Sequence, residues 1–255
     1  MKIKEKKNRK IIQSKALLIG VLLALIILTF RMLLTNNYYF FFLPWNLFLA
    51  FVPLFMAYKS AFAASGKKKL WLFFWIVLWL FFFPNAPYVI TDFLHLMFYD
   101  DADFVGTGLA KLYNLGATGT PNWIFWYDCF TIGFYSLLSW VAGLCSLQSV
   151  LKSHMVLVNK NWKQVVFFFG SLGLSGFGIF LGRFLRFNSW DIIARPFHIL
   201  QNVAEVFTNG FFFYIAAVTT VSFALLLIVT YVLFDSKFEF RFVETGELEK
   251  VRAKK

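Results

Sequence analysis

Asp92 and His95 stand three residues apart in the segment TDFLH. If the chain resumes a helix after Pro87, both side chains fall on one face. A carboxylate beside an imidazole can act as a general base with its orienting acid, or supply two ligands to a metal. Two ligands are too few for a metal site, and Asp128 is the nearest further group of the right kind. The pattern assigns no metal and leaves any cofactor unknown. A plainer role also exists: Asp92 or Thr91 capping a short helix, with His95 at headgroup level.

Arg183 and Arg186, in GRFLRFNSWD, form a second candidate set. An arginine near hydrocarbon is expensive unless it is paired or reaches the interface. Together with Arg195, these two either neutralise Asp92, Asp128 and Asp191 or bind an anionic group such as a lipid phosphate. The planar guanidinium fork suits both tasks. Asp128 follows WIFWY and precedes a long apolar run. It reads either as a functional acid inside a span or as half of a structural salt bridge to an arginine. Asn46 and Asn85 lie close to prolines and are placed to satisfy backbone groups freed there. Asn188 and Ser189 read as caps ahead of Asp191, which suits a first helical turn.

The elements that position these residues follow from composition. The chain has 255 residues, of which 60% are hydrophobic and only 15% charged, with a mean hydropathy of +0.67. Soluble domains run near 45–50% apolar and about 25% charged, so a soluble fold has no place to hide this surface. The class is an all-α integral membrane protein. The net charge of +12 would suit nucleic acid, but the basic residues fall in separate clusters between apolar runs, as membrane anchors do. Cys129 and Cys145 fall in one helical run, roughly 24 Å apart along its axis, too far to bridge. Both read as small core residues.

Six spans are expected, at about 16–34, 38–58, 70–90, 123–151, 165–185 and 211–234, between a basic tail at 1–15 and a charged tail at 235–255. The first starts like a signal peptide, but TNNYYFFFLPWN follows it rather than a small-residue cleavage site, so it is read as an uncleaved helix. The third run, Leu70 to Phe83, reaches only about 21 Å of a core roughly 30 Å thick. It crosses only if Pro84 to Ile90 also lies at membrane depth, which places a helix break at PNAP near one interface. The 91–122 connection, with Asp100, Asp101, Asp103 and the stretch GTGLAKLYNLGATGTPN, is long enough to be functional or disordered. Gly178 and Gly182 form a GxxxG in a span rich in small residues, a pattern for close helix packing. The apolar residues of 183–209 recur at helical spacing, so this segment is expected to lie along the interface as one or two amphipathic helices interrupted at Pro196. KFEFRFVE in the tail alternates like a strand, though a solvated tail is preferred.

Six spans put both termini on one side. Of the 25 Lys and Arg residues, only Arg31, Lys111, Arg183, Arg186 and Arg195 fall on or near the other side. By the positive-inside rule the termini are expected in the cytoplasm. Asp92, Asp100, Asp101, Asp103, Asp128, Asp191 and Glu205 then gather at the outer face. No GxSxG, HExxH, P-loop or dinucleotide fingerprint occurs, and mid-span positions carry almost no charge, which weighs against a proton-coupled carrier. There is no nucleic-acid signature.

LPNAPY followed by TD-x-x-HL, then WYD opening a later span, then GRFLRFNSWD, resembles the bacterial membrane family known as domain of unknown function 1361. NLFLAFVPLF in the second span is similar to that family's opening motif. The resemblance covers most of the chain from Trp45 to the sixth span. It implies a multi-pass bacterial inner-membrane protein and no particular activity or cofactor. Its signature falls on Pro84, Asn85, Pro87, Tyr88, Asp92, His95, Asp128, Gly182, Arg183, Arg186, Asn188, Ser189, Trp190 and Asp191. By residue type and placement, apart from the resemblance, Asp92, His95 and Asp128 are the candidate catalytic residues. Arg183, Arg186, Asn85, Tyr88, Asn188, Trp190 and Asp191 are the candidate binding set. The expected partners are the bilayer and an anionic, lipid-linked envelope substrate; the alternatives are a structural or partner-binding protein and a transporter.

Overall fold

The apolar runs of the sequence become helices long enough to cross a bilayer. In the computed structural model, residues 2–97, 123–158, 160–187 and 191–235 are described, and among them no strand occurs. The long helices are α1 (Lys2–Thr35), α2 (Phe42–Ser65), entered through a 3-10 turn at Tyr39–Phe41, and α3 (Lys69–Phe82). Three short pieces continue α3: α4 (Asn85–Tyr88), a 3-10 turn at Val89–Phe93, and α5 (Leu94–Met97). Then come α6 (Trp123–His154), α7 (Asn161–Phe184), two short helices α8 (Asp191–Ala194) and α9 (Pro196–Thr208), and α10 (Gly210–Asp235). Among the described residues six helical stretches have the length and hydropathy to cross a membrane. This is an all-α multi-pass membrane protein.

The two largest departures from the expected boundaries are at the ends of the second and third stretches. The second helix does not stop at Lys59 but runs on to Ser65, because Lys59 lays its ammonium over the Phe55 ring, 5.2 Å from the centroid. A lysine that snorkels in this way does not end a helix. The third stretch runs to Leu96, since helical geometry resumes after PNAP. The 100–122 connection, the Asn188–Trp190 triplet and the KFEFRFVE segment lie outside the described residues.

Chain contacts divide the protein into two compact units, Met1–Leu49 with Tyr88–Val141, and Ala50–Pro87 with Ala142–Lys255. In the first unit, α1 and α6 run antiparallel. A Cβ on Gly20 would meet Leu138, the Tyr135 hydroxyl donates to the Ala24 carbonyl at 3.1 Å, and that of Tyr127 donates to Ile27 at 2.9 Å. The left-handed backbone of Asn36 (φ 48°) ends α1, a conformation asparagine tolerates better than most residues.

In the second unit, α7 and α10 pair closely. Gly176 lies so near the Thr220 backbone that a Cβ would come within 2.6 Å of its carbonyl oxygen. One turn on, Phe180 and Ala216 meet Val206 of α9 in a buried cluster. Gly178, half of the expected GxxxG, has a different neighbour: a Cβ there would meet the Pro84 ring at 2.6 Å. The helix-to-helix contact belongs to Gly176, and Gly178 makes room for the proline.

Candidate functional site

Proline explains the break before Asp92. Neither Pro84 nor Pro87 has an N–H to give, so α3 ends at Phe82 and the helix restarts at Asn85. The Ala86 N–H then turns to the Phe83 carbonyl at 3.1 Å, which leaves the Phe82 carbonyl without its usual donor. The Asn85 side chain supplies it, donating from Nδ2 at 3.0 Å. The segment is held by close contacts. Trp79 stacks on Phe83 and donates its indole N–H to Ser146 Oγ at 3.1 Å, and Gly143 leaves space for Ala86. Asn85 thus does the backbone work expected of it.

After the break the chain enters the first unit at Tyr88. Tyr88, not Thr91 or Asp92, holds the N-cap position of the 3-10 turn, and the Thr91 hydroxyl donates back to the Tyr88 carbonyl at 2.7 Å. Ser136 of α6 donates to the Val89 carbonyl at 3.2 Å, which anchors the turn. Asp92 is only 1% exposed, and its Oδ2 accepts from Asn46 Nδ2 at 2.9 Å. His95 Nδ1 lies 2.9 Å from the Tyr39 hydroxyl, and its ring packs at 4.7 Å between centroids on Phe42. The pair is therefore held by the 3-10 turn that enters α2 and by the first turns of α2 itself.

The chain just before that turn reaches Asp128. Arg31, near the end of α1, forks onto the carboxylate with Nε to Oδ1 at 2.8 Å and Nη2 to Oδ2 at 2.9 Å. Both side chains are buried, at 1% and 0% exposure. Nη1 donates to the Asn37 carbonyl at 2.7 Å and to its Oδ1 at 3.1 Å, and the guanidinium sits 4.8 Å from the Phe40 ring centroid. Asn37 Oδ1 also accepts the Tyr39 N–H at 3.0 Å. A continuous chain of bonds runs from Asp128 through Arg31, Asn37 and Tyr39 to His95.

Asp128 thus forms the salt bridge to an arginine that was one of its two readings, and the arginine is Arg31. Bidentate geometry engages both carboxylate oxygens. Arg31, Asn37 and Tyr39 were not singled out from sequence. A lone arginine inside an apolar span carried the signal, because such a charge must find a partner at similar depth.

The family model described as "Protein of unknown function (DUF1361)" matches residues 45–228, well over half of the chain. The chain belongs to the DUF1361 family. The DUF1361 match takes in Asn46, Asp92, His95 and Asp128 and begins after Arg31, Asn37 and Tyr39. No curated protein and no solved structure matches the chain.

The remaining candidates of this DUF1361 protein belong to the second unit. Arg183 is half-buried in the last turn of α7. Arg186 is exposed and left-handed (φ 57°), a conformation that costs a non-glycine residue about 1–2 kcal/mol. Asp191 opens α8, and its carbonyl accepts the Arg195 N–H at 2.8 Å. Asn188 and Trp190 lie outside the described residues. Among the described residues no three His, Cys, Asp or Glu side chains come together as metal ligands would.

Proposed function

We propose that this protein is a bacterial inner-membrane protein with both termini cytoplasmic, and that its extracytoplasmic end binds an anionic, lipid-linked envelope substrate. The observation that carries the reading is the buried Asp92 carboxylate in one helical stretch with His95, the first held by Asn46 of α2 and the second by Tyr39 of the 3-10 turn before it. A buried carboxylate is costly, and an acid and an imidazole kept in place three residues apart have the makeup of an acid–base pair. In this proposal Asp92 and His95 move the proton. Arg183, Arg186, Asn85, Tyr88, Asn188, Trp190 and Asp191 stand as candidates for binding the anion by residue type. Asp128 acts as a positioning residue through Arg31, Asn37 and Tyr39.

The Arg31–Asp128 fork favours a second reading, in which the polar cluster only locks helices and the protein is structural. Transport is the third, and the apolar mid-spans speak against it. One experiment separates the first two: Asp92→Asn and His95→Gln, purified in detergent and melted with and without a polyprenyl phosphate. A bound ligand at one hundred times its Kd stabilises by about 2.7 kcal/mol. The substrate reading expects both variants to accumulate, melt like the parent and keep that shift, and Arg183→Gln with Arg186→Gln to lose it. Loss of both variants from the membrane would establish the structural lock instead.

A further inference from the structure

Helix α9 presents three faces. One is packed: Val206 is 1% exposed and meets Phe180 and Ala216, with Phe177, Leu181, Phe212 and Ile215 around them. A second is apolar and open, with Phe197 at 79%, Leu200 at 63% and Phe207 at 64% exposure, and with Ala204 between them. Their spacing of three, four and three keeps them in one row. The third face is polar and open, formed by His198, Gln201, Glu205 and Thr208 at the same spacing. The two open rows lie side by side.

Ring contacts set the helix's depth. His198, near its start, touches Phe187 just past the end of α7, with centroids 5.5 Å apart. Phe207, near its end, reaches Phe177, with centroids 6.4 Å apart. From Phe184 back to Phe177 is about two turns, or roughly 10 Å along the axis of α7. The helix therefore descends beside a membrane span instead of standing clear of it. Extended backbone at Asn209 follows (φ −100°, ψ 110°), and the Asn209 carboxamide oxygen accepts from the Phe211 and Phe212 N–H groups to start α10. Phe207 also meets Phe213, itself half exposed on this spanning helix, with centroids 6.2 Å apart. The open apolar row is thus continuous with the lipid-facing surface of α10.

We propose that α9 is a lipid-docking helix seated in the leaflet at the C-terminal end of α7. Phe197, Leu200, Ala204 and Phe207 lie among acyl chains, and the His198–Thr208 row faces water. Interfacial helices sink their apolar side by about 5–10 Å, and the Phe207 end of α9 is the deeper one. Arg195, exposed at the N-cap, stands at the shallow end where lipid phosphates lie.

Nitroxide labels on Leu200→Cys and Gln201→Cys, in a Cys129→Ala/Cys145→Ala background reconstituted in phosphatidylcholine–phosphatidylglycerol bilayers, test this. Leu225→Cys on α10 is the lipid reference. Position 200 is expected to match position 225, colliding with oxygen several-fold more than with a water-soluble nickel chelate. Position 201 is expected to show the reverse. Should the double alanine background fail to accumulate, Cys145 is retained, since burial keeps it from the label. Nickel access at position 200 equal to that at 201 would place the helix in water. Shielding of position 200 from both relaxants would mean that a second copy or another protein covers the face. Either result overturns the proposal.

Discussion

Arg31 and Asp128 are both removed from solvent, so neither charge survives alone without cost. Taking away one partner of a buried pair typically destabilises by about 3–5 kcal/mol, whereas replacing both with apolar groups of similar size is often neutral or better. Arg31→Met should therefore lower the melting temperature of the purified protein sharply, and Asp128→Leu likewise. The double variant should recover most of the loss. An additive double variant would show that the two side chains act separately. The single Arg31 change carries a further consequence, because the same guanidinium holds Asn37, whose carboxamide positions Tyr39 beside His95. Asp92, His95 and Asp128 could be picked out by type and position in the sequence. Their partners could not, since nothing in spacing along the chain says that residue 31 faces residue 128 or that residue 46 faces residue 92.

Among the elements, α7 shows how much a helix's rotation decides. Its small residues are evident from sequence, and the GxxxG pattern pointed to Gly178 and Gly182. The contact with α10 instead falls on Gly176, against backbone that cannot give way. Gly176→Ala should force α7 and α10 apart and cost about 1–3 kcal/mol, the usual range for overpacking. On the same helix, a Cβ added to Gly173 would meet nothing within 4 Å, so Gly173→Ala should gain about 0.5–1 kcal/mol from helix propensity alone. Opposite shifts in melting temperature for these two variants would check the packing directly. The proline break was more legible. The run before it is too short to cross a bilayer, and a freed carbonyl needs a donor. The identity of that donor, Asn85 to the Phe82 carbonyl, was anticipated because asparagine sits at the break itself.

For the whole molecule, the proposed topology has a direct check. A fluorescent protein fused after Lys255 should fluoresce, and alkaline phosphatase fused there should be inactive, if the terminus is cytoplasmic; the opposite pair of results would reverse the orientation. By itself the sequence determined the class, the number of spans, the break at PNAP and the family. The family rests on the resemblance of its motifs; the others depend on composition and on apolar run lengths, which the bilayer reads one segment at a time. Only the tertiary structure decided that Arg31 neutralises Asp128, that Asn46 holds Asp92 and Tyr39 holds His95, and that Gly176 rather than Gly178 meets α10. Those outcomes depend on which helix faces are turned together, and rotation about a helix axis costs nothing until a neighbour is in place.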